Sequence, residues 1–192
     1  MPHFADCTPS QGPGPFYCMT LLYDDGANGV DPQAPNAVRV KGTVYDGGGT
    51  PLRPPDAFIE LLTDDAFART TVSPSGQYEV VMHKPTPVQL ADGRTQAPFI
   101  FVRLWAFPVI ECFETRLYFS DEVSANHDDS VLQLVAEDVR DTIVGRFENG
   151  ILHWDIHLSG EQQTVFFVPT EGPSIADAPA MGIHPAISSV AV

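Results

Sequence analysis

The residues best equipped for chemistry in this chain are its six histidines, three cysteines and 25 acidic side chains. The tightest grouping is His153, Asp155 and His157, at alternate positions of the stretch Ile151 to Leu158. On a strand these three share one face, and Leu152, Trp154, Ile156 and Leu158 share the other. Alternate strand positions lie about 6.8 Å apart, from a rise of about 3.4 Å per residue. One metal ion would then need further donors from elsewhere. A solvated strand face is the expectation, and no metal centre is assigned. The carboxylate pairs Asp64–Asp65 and Asp128–Asp129 fall in loop-like stretches and read as solvated turns. There is no G-x-S-x-G elbow, and no cysteine sits in an electropositive setting that would activate it. Gly47-Gly48-Gly49-Thr50 could suggest a phosphate loop, but such a loop needs a helix after it. Pro51, Pro54 and Pro55 follow instead. Residue chemistry alone leaves an acidic β-rich chain without an evident catalytic centre.

The elements around these residues are strands. Eighteen prolines and fifteen glycines punctuate short apolar runs, the pattern of an all-β chain. Val38, Val40 and Val44 alternate with Arg39, Lys41 and Thr43, the period of a half-buried strand ending at the glycine-rich turn after Tyr45. Ala57 to Leu62 and Phe67 to Val72 predict two more. Ser73-Pro74-Ser75-Gly76 predicts a hairpin turn into Gln77 to Met82. Phe99 to Ala106 is apolar on both faces and belongs in the middle of the core. In Phe113 to Phe119, Phe113, Thr115, Leu117 and Phe119 point one way; Glu114, Arg116 and Tyr118 point the other. Asp121 to Val135 mixes a short acidic helical turn with an apolar run. Asp141 to Phe147, Ile151 to Leu158 and Thr164 to Val168 close the pattern, with Glu148-Asn149-Gly150 as a tight turn. The expected architecture is a β-sandwich or flattened barrel with few short helices. Residues 1–36 read as an extended N-terminal arm, 37–168 as the β-sandwich and 169–192 as an extended tail.

Charge narrows the partners. A formal charge of -15 opposes phosphate backbones and anionic membranes, so neither nucleic acid nor a membrane is expected. The N-terminus has neither a basic start nor an apolar h-region, so no signal peptide is read there. Cys7, Cys18 and Cys112 form no paired pattern and read as reduced thiols of a cytoplasmic protein.

Several segments, in order, resemble the intradiol ring-cleaving dioxygenases. Thr8-Pro9-Ser10-Gln11-Gly12-Pro13-Gly14-Pro15-Phe16 is similar to the family's T-P-S-Q-T-x-G-P-[FY] arm. Gly42-Thr43-Val44-Tyr45-Asp46-Gly47 resembles its G-x-V-x-D-G strand and turn, and Pro55-Asp56-Ala57-Phe58-Ile59-Glu60-Leu61 its P-D-A-x-[IVL]-E strand. Thr115-Arg116-Leu117-Tyr118-Phe119 followed by Asp121-Glu122 and Ala125-Asn126 is the sharpest piece. Gly160-Glu161 with Thr164-Val165-Phe166-Phe167 completes a set running from about residue 8 to 168.

The resemblance implies an intradiol β-sandwich and a chemistry that needs Fe(III) held by two tyrosines and two histidines. Each ligand position can be sought here. The tyrosine expected after the E-[IVL]-W strand has no counterpart, because Leu62-Thr63-Asp64-Asp65 runs almost directly into Phe67. Val88 stands at the tyrosine of the K-P-G-P-Y-P motif. Phe99 and Phe101 stand at the H-x-H pair. Hydrocarbon side chains lack the lone pairs that ferric iron requires. The resemblance therefore implies an iron-free, α-type subunit whose Fe(III) sits in a homologous iron-bearing β subunit. The shared reaction it implies is cleavage of protocatechuate with O2 to 3-carboxy-cis,cis-muconate. The substrate-binding contribution it implies falls on Gly12, Gly14, Pro15 and Arg116, with a glycine at position 12 where a threonine is usual. A guanidinium suits a substrate carboxylate, although Arg116 could instead pair with Glu114 or an acid at an interface. The alternative is a catalytically inactive β-sandwich that keeps the intradiol scaffold for binding or assembly.

Overall fold

The structure, a computed structural model, describes residues 20–90, 93–107, 112–168 and 184–185. Among them the strands are β1 (Ala37–Tyr45), β2 (Ala57–Leu62), β3 (Phe67–Thr71), β4 (Gln77–His83), β5 (Val88–Gln89), β6 (Thr95–Gln96) and β7 (Phe99–Ala106). They continue as β8 (Phe113–Phe119), β9 (Val144–Glu148), β10 (Ile151–His153), β11 (Ile156–His157), β12 (Phe167–Val168) and β13 (His184–Pro185). Between β8 and β9 run one α-helix, α1 (Val123–Asp128), and two 3-10 segments, Leu132–Leu134 and Glu137–Ile143. The fold is therefore the expected mainly-β sandwich with few short helices.

Two layers form. In one, β1 pairs antiparallel with β4 and parallel with β10, and β10 continues to β9. In the other, β3, β2, β7 and β8 pair antiparallel in that order, so β7 is central as its two apolar faces require. β9 also pairs parallel with the end of β8, which nearly closes the sheet. The period of two sorts the side chains. Val38, Val40, Val80, Met82 and Leu152 from the first layer meet Ile59, Leu61, Ile100, Val102, Leu104, Leu117 and Phe119 from the second. Each large aliphatic side chain buried this way contributes about 1.5–3 kcal/mol relative to exposure.

A second apolar cluster lies on the opposite face of β7 and β8. There Phe101 and Tyr118 pack with Val131, Leu132, Val135 and Ile143 from the helical connection. One buried carboxylate fastens that connection. Asp129, with 0% exposure, accepts hydrogen bonds from the backbone N–H groups of Ala97, Val131 and Leu132 and from the Tyr118 hydroxyl. Burial of a carboxylate is tolerable only with such saturation. Burial also pushes the Tyr118 phenol well above its ordinary pKa, with the nearby Arg116 guanidinium pulling it partly back.

Turns match their residues where local chemistry decides. Asp46 Oδ1 accepts from the N–H groups of Gly48 and Thr50, and Gly49 has φ +75, so the glycine run is a turn. Asn149 and Gly150, with φ 51 and 77, form a two-residue hairpin between β9 and β10.

Four local expectations are corrected. Ser73–Gly76 does turn, with the Gly76 N–H donating to the Ser73 carbonyl, but it is no hairpin. β3 pairs with β2, whereas β4 pairs with β1, so the turn crosses between layers. The stretch Ile151 to Leu158 is broken at Trp154–Asp155. There the Trp154 carbonyl accepts from the Tyr78 hydroxyl and the Asp155 carboxylate accepts from the Thr43 N–H, displacing ladder bonds. Gly42 permits this, because a Cβ at that position would overlap the Trp154 carbonyl oxygen. Finally, the strand expected from Asp141 begins only at Val144, the preceding residues being 3-10 helix, and that expected from Thr164 is regular only at Phe167–Val168.

Among the described residues no helix is long and apolar enough to cross a membrane. Residues Leu21 to Gly29, part of the expected arm, are tied to the chain's own sheets. The Arg69 guanidinium donates to the Leu21 carbonyl, and Gly29 and Ala27 exchange backbone bonds with Val81.

Candidate functional site

The three hydrocarbon positions singled out in the sequence come together. Phe99 and Phe101 are carried by β7, whose register sets Phe101 opposite both Leu62 of β2 and Arg116 of β8. Val88 is brought over them by the small β5–β6 ribbon, in which Val88 pairs with Gln96. Together they line a cavity of about 410 Å³. The connection from β2 to β3 closes its side. It is a four-residue turn in which the Thr63 N–H donates to the Ala66 carbonyl, and it carries no tyrosine.

Polar groups stand at the cavity's rim. His83 Nδ1 lies 2.9 Å from Asp65 Oδ2. The hydrogen bonds from His83 and Thr63 hold the Asp65 carboxyl below its usual range, against a slight opposing effect of burial. Lys84 Nζ bridges Asp121 and Glu122 at 2.7 Å each and sits over the Phe119 and Phe147 rings. Burial alone would lower the Lys84 pKa, but the two carboxylates outweigh it and hold the ammonium above the ordinary lysine value. This cation is therefore consumed by its own neighbours.

Ferric iron does not fit this cavity. Valine and phenylalanine offer no donor atom where phenolates and imidazoles would have to converge. Among the described residues no three His, Cys, Asp or Glu side chains are grouped closely enough to hold a metal. His153, Asp155 and His157, the sequence's other grouping, are separated by the break between β10 and β11. His157 stacks on Tyr45 at 4.7 Å, and Asp155 is engaged by Thr43.

Arg116 is the unusual side chain. It is 1% exposed, and its guanidinium carbon lies 4.0 Å from the centroid of the Phe99 ring. Its Nε and Nη1 are buried without a hydrogen-bond partner among the described residues. Glu114, the partner considered from sequence, is taken instead by Arg103 at 2.8 Å. A buried guanidinium with open donors is costly unless an acceptor arrives from elsewhere. Gly12, Gly14 and Pro15 lie outside the described residues.

Sequence reasoning missed Gln96 and the His83–Asp65 pair, and its reading of Asp129 as part of a solvated turn is corrected, since Asp129 is 0% exposed. The signal for Gln96 and Asp129 was faint: polar residues flanking an apolar strand are ordinarily solvated. Gln96 is 5% exposed and Asp129 fully buried only because the helical connection folds back over β7 and β8.

A larger, shallower depression of about 780 Å³ crosses the outer face of the other layer, around Lys41, Glu79, His153 and Arg146. It contains none of Val88, Phe99, Phe101 and Arg116, and its principal charges are paired: Lys41 with Glu79, Arg146 with Glu148. The smaller cavity carries the chemical interest.

No protein-family model matches the sequence. The α chain of protocatechuate 3,4-dioxygenase from Pseudomonas putida is 32% identical over 193 aligned residues, covering 83% of this chain and 95% of that one. This chain belongs to the protocatechuate 3,4-dioxygenase α-chain family. The α chain from Burkholderia cepacia is 28% identical, covering 83% of this chain and 96% of its own length. The fold likeness extends further, to catechol 1,2-dioxygenase from Acinetobacter sp. ADP1 inhibited by bound mercury, with a TM-score of 0.53 and 14% identity. That match covers 71% of this chain and 58% of the longer enzyme's chain. The named relatives are chains of a protocatechuate 3,4-dioxygenase, and the fold is one shared with a ring-cleaving dioxygenase of known structure.

Proposed function

We propose that this chain is the iron-free subunit of a protocatechuate 3,4-dioxygenase, working only with a homologous β subunit that holds Fe(III). The observation that carries the proposal is the convergence of Val88, Phe99 and Phe101 on one cavity. A chain whose own donor set cannot grip the ion must complete a site whose reactivity lies in a partner. The joint reaction is then cleavage of protocatechuate with O2 to 3-carboxy-cis,cis-muconate. No redox step is assigned to this chain's residues.

Its part is to shape and charge the substrate pocket. Arg116 binds and orients the substrate carboxylate, for which its two open donors are suited. The Phe99 ring beneath it fixes the guanidinium plane. The N-terminal arm, residues 1–36, packs on the partner from its base at Leu21 to Gly29, and Gly12, Gly14 and Pro15 form a backbone wall close to the ring.

The test is assembly. Expressed alone, the chain is expected to be colourless, free of stoichiometric iron and inactive. Co-expressed with an iron-bearing homologue, it should yield a burgundy complex that opens protocatechuate. A colourless, inactive complex would favour the alternative, a β-sandwich retained for binding or assembly. Within the active complex, Arg116→Ala should cost protocatechuate kcat/KM about tenfold to a hundredfold while leaving catechol little changed, the effect of one lost charge-assisted contact. An unaltered preference would remove Arg116 from the pocket.

A further inference from the structure

The cavity that excludes iron has properties of its own. Its floor is hydrocarbon, built by Leu62, Val88, Phe99 and Phe101. At about 410 Å³ it is large enough to admit an aromatic ring. Gln96 lines it and is only 5% exposed. A largely buried amide beside an apolar floor is a polar group placed to orient a ligand's polar end. His83 also lines it. With Nδ1 engaged by Asp65, its Nε2 is the nitrogen left to meet a ligand.

Charge then selects among rings. Asp64 and Asp65 stand at the rim, and the cavity's ammonium, Lys84, is neutralised by Asp121 and Glu122. Arg116 does not line this cavity, so an aromatic carboxylate would enter against this field with no unpaired cation among the lining residues to receive it. An organic cation would meet phenyl rings already polarised by arginines, Arg116 over Phe99 and Arg103 over Phe101. Rings bearing a cation on one face stack best with a neutral, electron-rich ring.

The geometry points to a non-catalytic binding site in this chain for an uncharged monocyclic phenol, its ring against Val88, Phe99 and Phe101 and its hydroxyl on the Gln96 amide. This does not depend on how the chain works with a partner, since every group invoked belongs to the chain itself.

Titration of the purified full chain with phenol, toluene and benzoate, followed by calorimetry and ligand-observed magnetic resonance, tests the site. Phenol should bind once per chain, toluene more weakly and benzoate not measurably. Gln96→Leu should weaken phenol about tenfold, the loss of one hydrogen bond, and leave toluene unchanged. Val88→Trp, which fills the cavity, should abolish binding of both. Benzoate binding as well as phenol would overturn the proposal. So would phenol binding undiminished by Val88→Trp. Should the chain prove unstable alone, the same titration is run on the complex with its partner. The difference between wild-type and Val88→Trp complexes then isolates the share due to this cavity, and an absent difference overturns it. Iron content and turnover of that complex report separately on the proposed function.

Discussion

The two layers of this sandwich each carry a row of charged residues across four neighbouring strands, yet the rows live in opposite surroundings. On the first layer the register aligns Glu79, Lys41, His153 and Arg146. Water reaches them: Glu79, Lys41 and Arg146 side chains are 44%, 37% and 66% exposed. On the second layer it aligns Arg69, Glu60, Arg103 and Glu114, and the two glutamate side chains are only 9% and 7% exposed. The same cross-strand device is a screened surface pattern in one place and a buried lattice in the other. The lattice is incompletely paired at its end. Arg103 engages Glu114 through Oε1, while Glu114 Oε2 and, two residues along the same strand face, Arg116 Nε and Nη1 are buried without a hydrogen-bond partner.

The comparison can be broken hardest at the backbone. Gly42→Ala on β1 drives a methyl group into the Trp154 carbonyl at the break between β10 and β11. A loss above about 4 kcal/mol is expected, from the exceptional end of single-mutant effects. Chemical denaturation, or failure to recover folded chain, checks it; near-wild-type stability would mean that the first layer does not close as described.

Next comes the buried row. Glu114→Ala removes one carboxylate from Arg103 and should cost about 2–3 kcal/mol, below the full penalty for a broken buried pair because Arg103 is 25% exposed. Double-mutant denaturation with Arg103→Met should recover much of that loss. A purely additive result would show that the pair is screened after all.

The exposed row should respond least. Glu79→Gln is expected to cost about 1 kcal/mol or less at neutral pH. Its pH dependence sharpens the contrast. The hydrogen bond from Lys41, opposed by burial and aided by Arg39, holds the Glu79 carboxyl below its usual value of 4.5. A lowered folded pKa stabilises above that value and loses its effect as pH falls through the depressed one. Wild type and Glu79→Gln should therefore converge in stability under acid, and a constant gap would assign the effect to something other than charge.

Much of this was legible in one dimension, and the reason is local. Alternation in Val38 to Val44, the two-faced apolar run of Phe99 to Ala106, and positive-φ turns at Gly49 and Asn149–Gly150 depend on residues close in sequence. The loss of donors at Val88, Phe99 and Phe101 was also legible, because side-chain type alone decides whether a lone pair exists. What the strands do at long range was not. Ser73–Gly76 turns as its residues require, but which strand β4 joins depends on β1, more than thirty residues earlier. The break at Trp154 depends on Gly42 and Tyr78, distant residues whose side chains meet it only in the fold.

The sequence by itself therefore determined the class of fold and the absence of ligating atoms at three places, since both follow from periodicity and elemental composition. Only the tertiary structure decided that those places enclose one cavity, that Gln96 lines it, and that Arg116 is buried with open donors. Those are outcomes of register and burial, which set distances between groups that the chain order leaves free.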